Sequence, residues 1–236
     1  KMSKSKKNVI NPSSIIEEYG ADTARWFMLS DSPPERDLEW SIDGIKATYK
    51  FLNKIFKLLT TSNFSFCLNL NYNKDNFNKD EVEVYKFLNL VIHSYTNDIE
   101  NYRFNLAIAR LRELSNLLIK KRICEQLYNY SWSIFLRLAS IVIPHFSSEL
   151  SERAGLKNNL DNIEWPLADK ETKGSEEFII VIQENGKKRG VFKSEKNINK
   201  DELVKRISKS EKFSKILNGK IRKLVYVPGK ILNIVK

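Results

Sequence analysis

The chain has 236 residues, 42% of them hydrophobic and 11% aromatic, and a net charge of +11. That much apolar material can bury one large core or two smaller ones, which excludes a disordered polyelectrolyte. No apolar run approaches the roughly 18 residues that cross a bilayer, and no apolar signal segment opens the chain.

The first residues, "KMSKSKK", set four lysines among Met and Ser. Lys1 stands where an initiator Met would, so a piece of a longer protein is expected. In "NPSSIIEEYGADTARWFMLS", Asn11 is a good helix N-cap and Pro12 suits a first turn. Gly20 reads as a stop and Asp22 as the cap of a second short helix carrying Trp26, Phe27 and Leu29. "DSPPERDLEWS" cannot continue a helix through Pro33-Pro34 and is read as a turn segment.

From Ile42 the pattern is helical, with Ile42, Ile45, Tyr49, Leu52, Phe56 and Leu59 at alternating spacings of three and four. Lys46, Lys50, Lys54 and Lys57 form a separate stripe, read first as a wet face. After an Asn-rich loop, Tyr85, Leu88, Ile92, Tyr95, Ile99 and Tyr102 mark a second helix. Phe104, Ala107, Leu111, Leu114 and Leu118 mark a third, and Leu127, Phe135, Leu138 and Val142 a fourth that Pro144 ends or kinks. Four such amphipathic helices predict a bundle. Lys120, Lys121 and Arg122 suit a helix end without any ligand.

Residues 155–176 lose the periodicity and are expected to form a linker. "FIIVIQ" and "KRGVFK" then read as strands joined by the Asn-Gly of a tight turn. "KDELVKRISKSEKFSKIL" reads as one helix, and "IRKLVYV" and "ILNIV" as two further strands. This small α+β region holds most of the charge. Residues 1–175 carry 24 Lys and Arg against 22 Asp and Glu, and residues 176–236 carry 16 against 7. Such a basic segment beside a near-neutral body points to a polyanion, most simply nucleic acid.

Cys67 and Cys124 have no Cys or His at metal-ligand spacing, so no metal site is expected, and a reducing, cytoplasmic setting fits. His93 and His145, the two histidines, are assigned to packing or capping. Trp26 and Trp40 are assigned to packing rather than to base stacking. Arg36 and Asp37 are read as partners within their turn.

Lysines on a segment that can close over a ligand suit a leaving pyrophosphate. Lys1-Met2-Ser3-Lys4-Ser5 resembles the second signature of class I aminoacyl-tRNA synthetases. "NPSSIIEEYGADTARWFML" resembles the helix pair that follows it in the leucine, isoleucine, valine and methionine enzymes. "SPPERDLEWS", "IPHFSSEL", "IEWP", "NGKKRG" and "YVPGKILNIV" resemble bacterial-type leucyl-tRNA synthetases, from that signature onward. One departure is Ser151, where the family often has Trp after Glu-Leu.

The resemblance implies a mainly α fold, with a class I synthetase anticodon-binding-type helical bundle followed by a small α+β domain. The expected divisions are 1–40 for the signature loop and connecting helices, 41–154 for the bundle, 155–176 for a linker and 177–236 for the C-terminal domain. It further implies ATP binding by Lys1, Met2, Ser3, Lys4 and Ser5, with Lys4 the main catalytic lysine and Lys1 the weaker partner. ATP and leucine are the implied substrates, Mg2+ is expected with ATP in the full enzyme, and tRNA(Leu) is the implied partner of a monomer. Lys187, Lys188, Arg189, Arg222, Lys223 and Lys230 are the candidate tRNA contacts. A chain with neither a His-x-Gly-His signature nor a nucleotide-binding fold is expected to be inactive alone. Two rivals stand beside this reading: a free-standing RNA-binding module, and a basic scaffold whose first lysines serve only localisation or an anionic membrane.

Overall fold

Asn11 starts the first helix as expected: its side chain accepts the Ser13 N–H at 3.0 Å, and Pro12 occupies the first turn. The computed structural model describes residues 9–70, 74–169, 177–195, 198–210, 213–217, 221–227 and 230–236. By backbone proximity the chain divides into two units, Lys1–Asp169 and Lys170–Lys236.

In the first unit, α1 (Pro12–Tyr19) and α2 (Ala21–Asp31) flank Gly20, whose φ of 84° suits a residue without Cβ. Asp22 is not the cap of α2, because Gly20 takes that place. Its carboxylate instead accepts the Phe146 N–H at 2.6 Å in the first turn of α7 (Pro144–Arg153), capping a helix 124 residues away. Arg25 donates to the carbonyls of Val142 and Ile141 at 2.7 and 2.9 Å. Trp26 is fully buried in the same core as the bundle. The α1–α2 pair is therefore bound to the bundle by polar and apolar contacts together.

The bundle comprises α3 (Ile42–Thr61), α4 (Lys79–Glu100), α5 (Phe104–Lys120), α6 (Glu125–Ala139) and α7. The buried face of α3 is Ile45, Thr48, Phe51, Leu52, Ile55 and Leu59, whereas Ile42 and Tyr49 are exposed. The inward face is thus rotated from the one the spacing predicts. Leu88, Ile92 and Tyr95 of α4 and Ala107, Leu111, Leu114 and Leu118 of α5 are buried as the pattern requires. Tyr95 donates to the Leu138 carbonyl at 2.8 Å, and burial raises its pKa well above the ordinary tyrosine value. Asn78 and Glu81 form a capping box at the start of α4, and Glu81 also accepts the Cys124 N–H at 2.9 Å. These N–H bonds, that of Asn78 foremost, hold the Glu81 pKa below the ordinary carboxylate value.

Residues 155–169, without periodicity, pack on the bundle. Leu160 is buried, Trp165 stacks on Tyr95 and donates to Thr96, and Arg137 lies over the Trp165 ring. A single indole with a guanidinium and a hydroxyl partner anchors the segment where no repeating pattern could announce it.

The second unit is a four-stranded sheet in the order β2-β1-β4-β3, from β1 (Glu177–Glu184), β2 (Lys187–Glu195), β3 (Lys223–Val227) and β4 (Ile231–Val235). β1 pairs antiparallel with β2 and parallel with β4. Ile180, Ile182, Leu232 and Ile234 form one buried face with Leu203 and Ile207 of α8 (Lys200–Ser208). The expected single helix is two: α8 ends before Lys209, and α9 covers Ser214–Leu217. Phe213, between them in the chain, is buried.

Candidate nucleic-acid interface

Register decides which basic residues meet. Glu184 pairs with Lys187 across the β1–β2 hairpin, Glu184 lies level with Ile234 of β4, and Lys223 pairs with Val235. Lys187, Lys188, Arg189, Arg222, Lys223 and Lys236 therefore gather at one end of the sheet, from the first edge strand to the last. Lys230 does not join them. Its carbonyl accepts the Val181 N–H at 2.8 Å, which places it about 13 Å down the sheet at the ordinary rise of a strand. Its backbone sits at the other turn.

The end is held by its turn. Asn185 and Gly186 take φ of 48° and 79°, as a tight hairpin requires. The Gly186 N–H donates to Asn233 at 3.1 Å, and the Lys236 N–H donates to Asn185 at 3.0 Å. A shift of register after Ile182 leaves Arg189 as the extra residue of a bulge.

The six candidates are all exposed, yet they are not equivalent. Arg189 donates through Nε and Nη2 to Glu184 Oε2 at 2.8 and 2.7 Å. Lys236 holds the other oxygen, Oε1, at 2.7 Å. Lys236 first and Arg189 second hold the Glu184 pKa below the ordinary carboxylate value. Among the described residues, Lys187, Lys188, Arg222, Lys223 and Lys230 have no ion-pair partner. Strand alternation sets Lys188 and Lys223 on the sheet face opposite the helices, beside exposed Val191, Val225 and Val227. The arrangement offers separated ammonium groups to an extended anion.

Lys1, Met2, Ser3, Lys4 and Ser5 lie outside the described residues. Lys46, Lys50, Lys54 and Lys57 are exposed along α3. Lys121 is not available in the same way, since it bridges Asp80 and Glu83 at 2.9 and 2.8 Å. Trp26 is buried, and half-buried Trp40 packs T-shaped against Phe27. His93 is exposed on α4, and His145 Nδ1 lies 3.2 Å from Asp22. Tyr102, read from its spacing as a core position, is instead exposed. Asn101 immediately before it, a common helix stop, is the signal that the spacing alone overlooks.

A family profile described as the anticodon-binding domain of tRNA ligase matches residues 82–208, more than half of the chain. The chain belongs to this tRNA ligase family. A second profile, tRNA synthetases class I (I, L, M and V), matches residues 1–41 and ends at Ser41, the N-cap of α3. Leucine–tRNA ligases of Wolbachia pipientis subsp. Culex pipiens and Prochlorococcus marinus are 36% and 38% identical to it over the whole chain. The chain spans about 28% of the length of these curated relatives. It corresponds to the C-terminal region of bacterial leucyl-tRNA synthetases. A solved structure of the Agrobacterium radiobacter K84 agnB2 LeuRS, in a ternary complex with tRNA and LeuAMS, matches with a TM-score of 0.73. That match has 26% identity and covers all of this chain and 31% of that one. The tRNA ligase family thus accounts for both the helical bundle and the small sheet domain.

Proposed function

We propose that this chain is the tRNA-handling part of a leucine–tRNA ligase, which activates leucine with ATP and transfers it to tRNA(Leu). The observation that supports this most directly is identity of 36% to 38% with leucine–tRNA ligases along the whole chain. In the activation step the leucine carboxylate attacks the α-phosphate of ATP, and the bond to pyrophosphate breaks. Lys4 offsets the charge that collects on the leaving pyrophosphate, Lys1 assists, and Met2, Ser3 and Ser5 shape the loop. ATP is used as its Mg2+ complex. Among the described residues no group of three or more His, Cys, Asp or Glu could hold a metal ion, and the roles given to this chain's residues do not depend on one.

The bundle lies along the tRNA body, and the basic end of the sheet meets its outer corner. Lys187, Lys188, Arg222 and Lys223 neutralise phosphates there, with Arg189 and Lys230 in lesser roles. The complete enzyme acts as a cytoplasmic monomer; the chain by itself binds tRNA without activating leucine. Among the described residues no helix is long and apolar enough to cross a membrane. A free-standing RNA-binding module is the weaker reading, because residues 1–41 match a class I synthetase profile.

The test is ATP–pyrophosphate exchange by the full-length protein. Exchange is expected with leucine and not with isoleucine, valine or methionine, and Lys4→Ala lowers it by roughly 100- to 1,000-fold. Exchange driven by another amino acid overturns the reading, and an unchanged rate removes Lys4 from the chemistry.

A further inference from the structure

Helix α4 stops at Asn101 in a way that strains the next residue. Tyr102 N–H donates to the Ile99 carbonyl at 3.1 Å and Arg103 N–H to the Asp98 carbonyl at 2.8 Å, the paired bonds of a left-handed helix end. Tyr102 takes φ of 57°. Glycine is the usual occupant of this position, because a Cβ is crowded there. Burial does not compensate the strain, since Tyr102 is 69% exposed, the most open aromatic residue among those described. Among the described residues its ring has one aromatic neighbour, Phe104, edge-on with centroids 6.1 Å apart.

The turn that carries it is tied at two points. Asp98, almost wholly buried, binds Arg103 through Oδ1 and Arg110 through Oδ2, each at 2.9 Å. These ties join the end of α4 to the first turns of α5. Both arginine side chains remain substantially exposed and share one carboxylate, Arg103 as the residue after Tyr102 and Arg110 on α5. A strained, non-glycine residue on a turn tied by ion pairs, open on the surface, calls for a role outside folding.

We propose that Tyr102 is a stacking platform for an unpaired base of bound RNA, with Arg103 and Arg110 beside the flanking phosphates. An aromatic ring with neighbouring guanidinium groups is what an unstacked base recognises. An apolar protein partner fits less well, because the next residue, Arg103, is an exposed cation. The inference rests on the tRNA reading above and assigns it a specific contact.

The experiment uses the 236-residue chain, transcribed tRNA(Leu), and the variants Tyr102→Gly and Tyr102→Phe. Glycine removes the ring and suits the backbone, so this variant melts no lower than the parent. Its Kd rises about tenfold, the usual scale of one base–aromatic stack. Tyr102→Phe keeps the ring and stays within about twofold. The slope of log K against log salt is unchanged in both, since no phosphate contact is lost. Equal binding by Tyr102→Gly overturns the proposal, as does equal weakening by Tyr102→Phe. Failure of the unsubstituted chain to bind tRNA removes the tRNA reading and this one together, and separates that case from a failure of Tyr102 alone.

Discussion

Glu184 holds Arg189 at 2.7 Å and Lys236 at 2.7 Å, so two of the cations at the basic end of the sheet are already paired within the domain. Lys187 and Lys188, beside them in the sequence, have no such partner among the described residues. Removing either lysine is expected to lower the slope of log K against log salt for tRNA by about one. Arg189→Ala lowers it by less and loosens the hairpin instead. Salt titrations of the three single variants check this ordering, and equal slopes for all three would count against it.

The same carboxylate makes the second unit sensitive to acid. The folded pKa of Glu184 lies below its unfolded value, so its stabilisation is present above about pH 4.3 and is lost as pH falls through the folded value. Glu81 acts in the same direction in the bundle. Melting temperatures measured from about pH 6 downward are expected to fall, with Glu184→Gln flattening part of that fall for the second unit. An identical pH profile in that variant would show that the carboxylate does not carry the effect.

Gly44 is required by close approach. A Cβ there would stand 2.6 Å from Phe27 Cε2, and the Phe27 ring is held edge-on against Trp40. Gly44→Ala is expected to destabilise the first unit by about 1–3 kcal/mol, the usual cost of overpacking. Denaturant unfolding measures it, and the effect should diminish in the double variant with Phe27→Leu.

Tyr95→Phe removes the bond to the Leu138 carbonyl and leaves that acceptor unpaired in the core. A loss of about 1–3 kcal/mol is expected, with the midpoint of urea unfolding lowered and its m-value unchanged.

Asp98→Asn weakens both arginine ties at the end of α4. It is expected to cost about 1–3 kcal/mol, because hydrogen bonds to charged groups are lost. Amide exchange of Arg103 and its neighbours should accelerate before the rest of the bundle does.

What the sequence made legible follows the range of the forces involved. Helical periodicity located the inward faces of α4 and α5, since burial of Leu88, Ile92, Leu111 and Leu114 repeats with the helix turn. The Asn-Gly turn placed the first hairpin through local backbone chemistry alone. Asp22 shows the opposite case: its partner on α7 is 124 residues distant, and no local pattern identifies such a bond. Trp165 likewise anchors an aperiodic segment through three side chains from elsewhere. In the basic region, composition revealed the charge, but only strand register shows that Lys223 shares an end with Lys188 while Lys230 does not.

The position of β4 bears on how the second unit is made. It is the last strand along the chain, yet it lies between β1 and β3 in the sheet. A polypeptide emerging from the ribosome therefore has a hairpin and an orphan strand, with nothing to join them, until residues 231–235 arrive. Assembly of this sheet waits for that last of its four strands and then joins both pieces at once. A nonsense codon just before Ile231 would leave the sheet in two pieces.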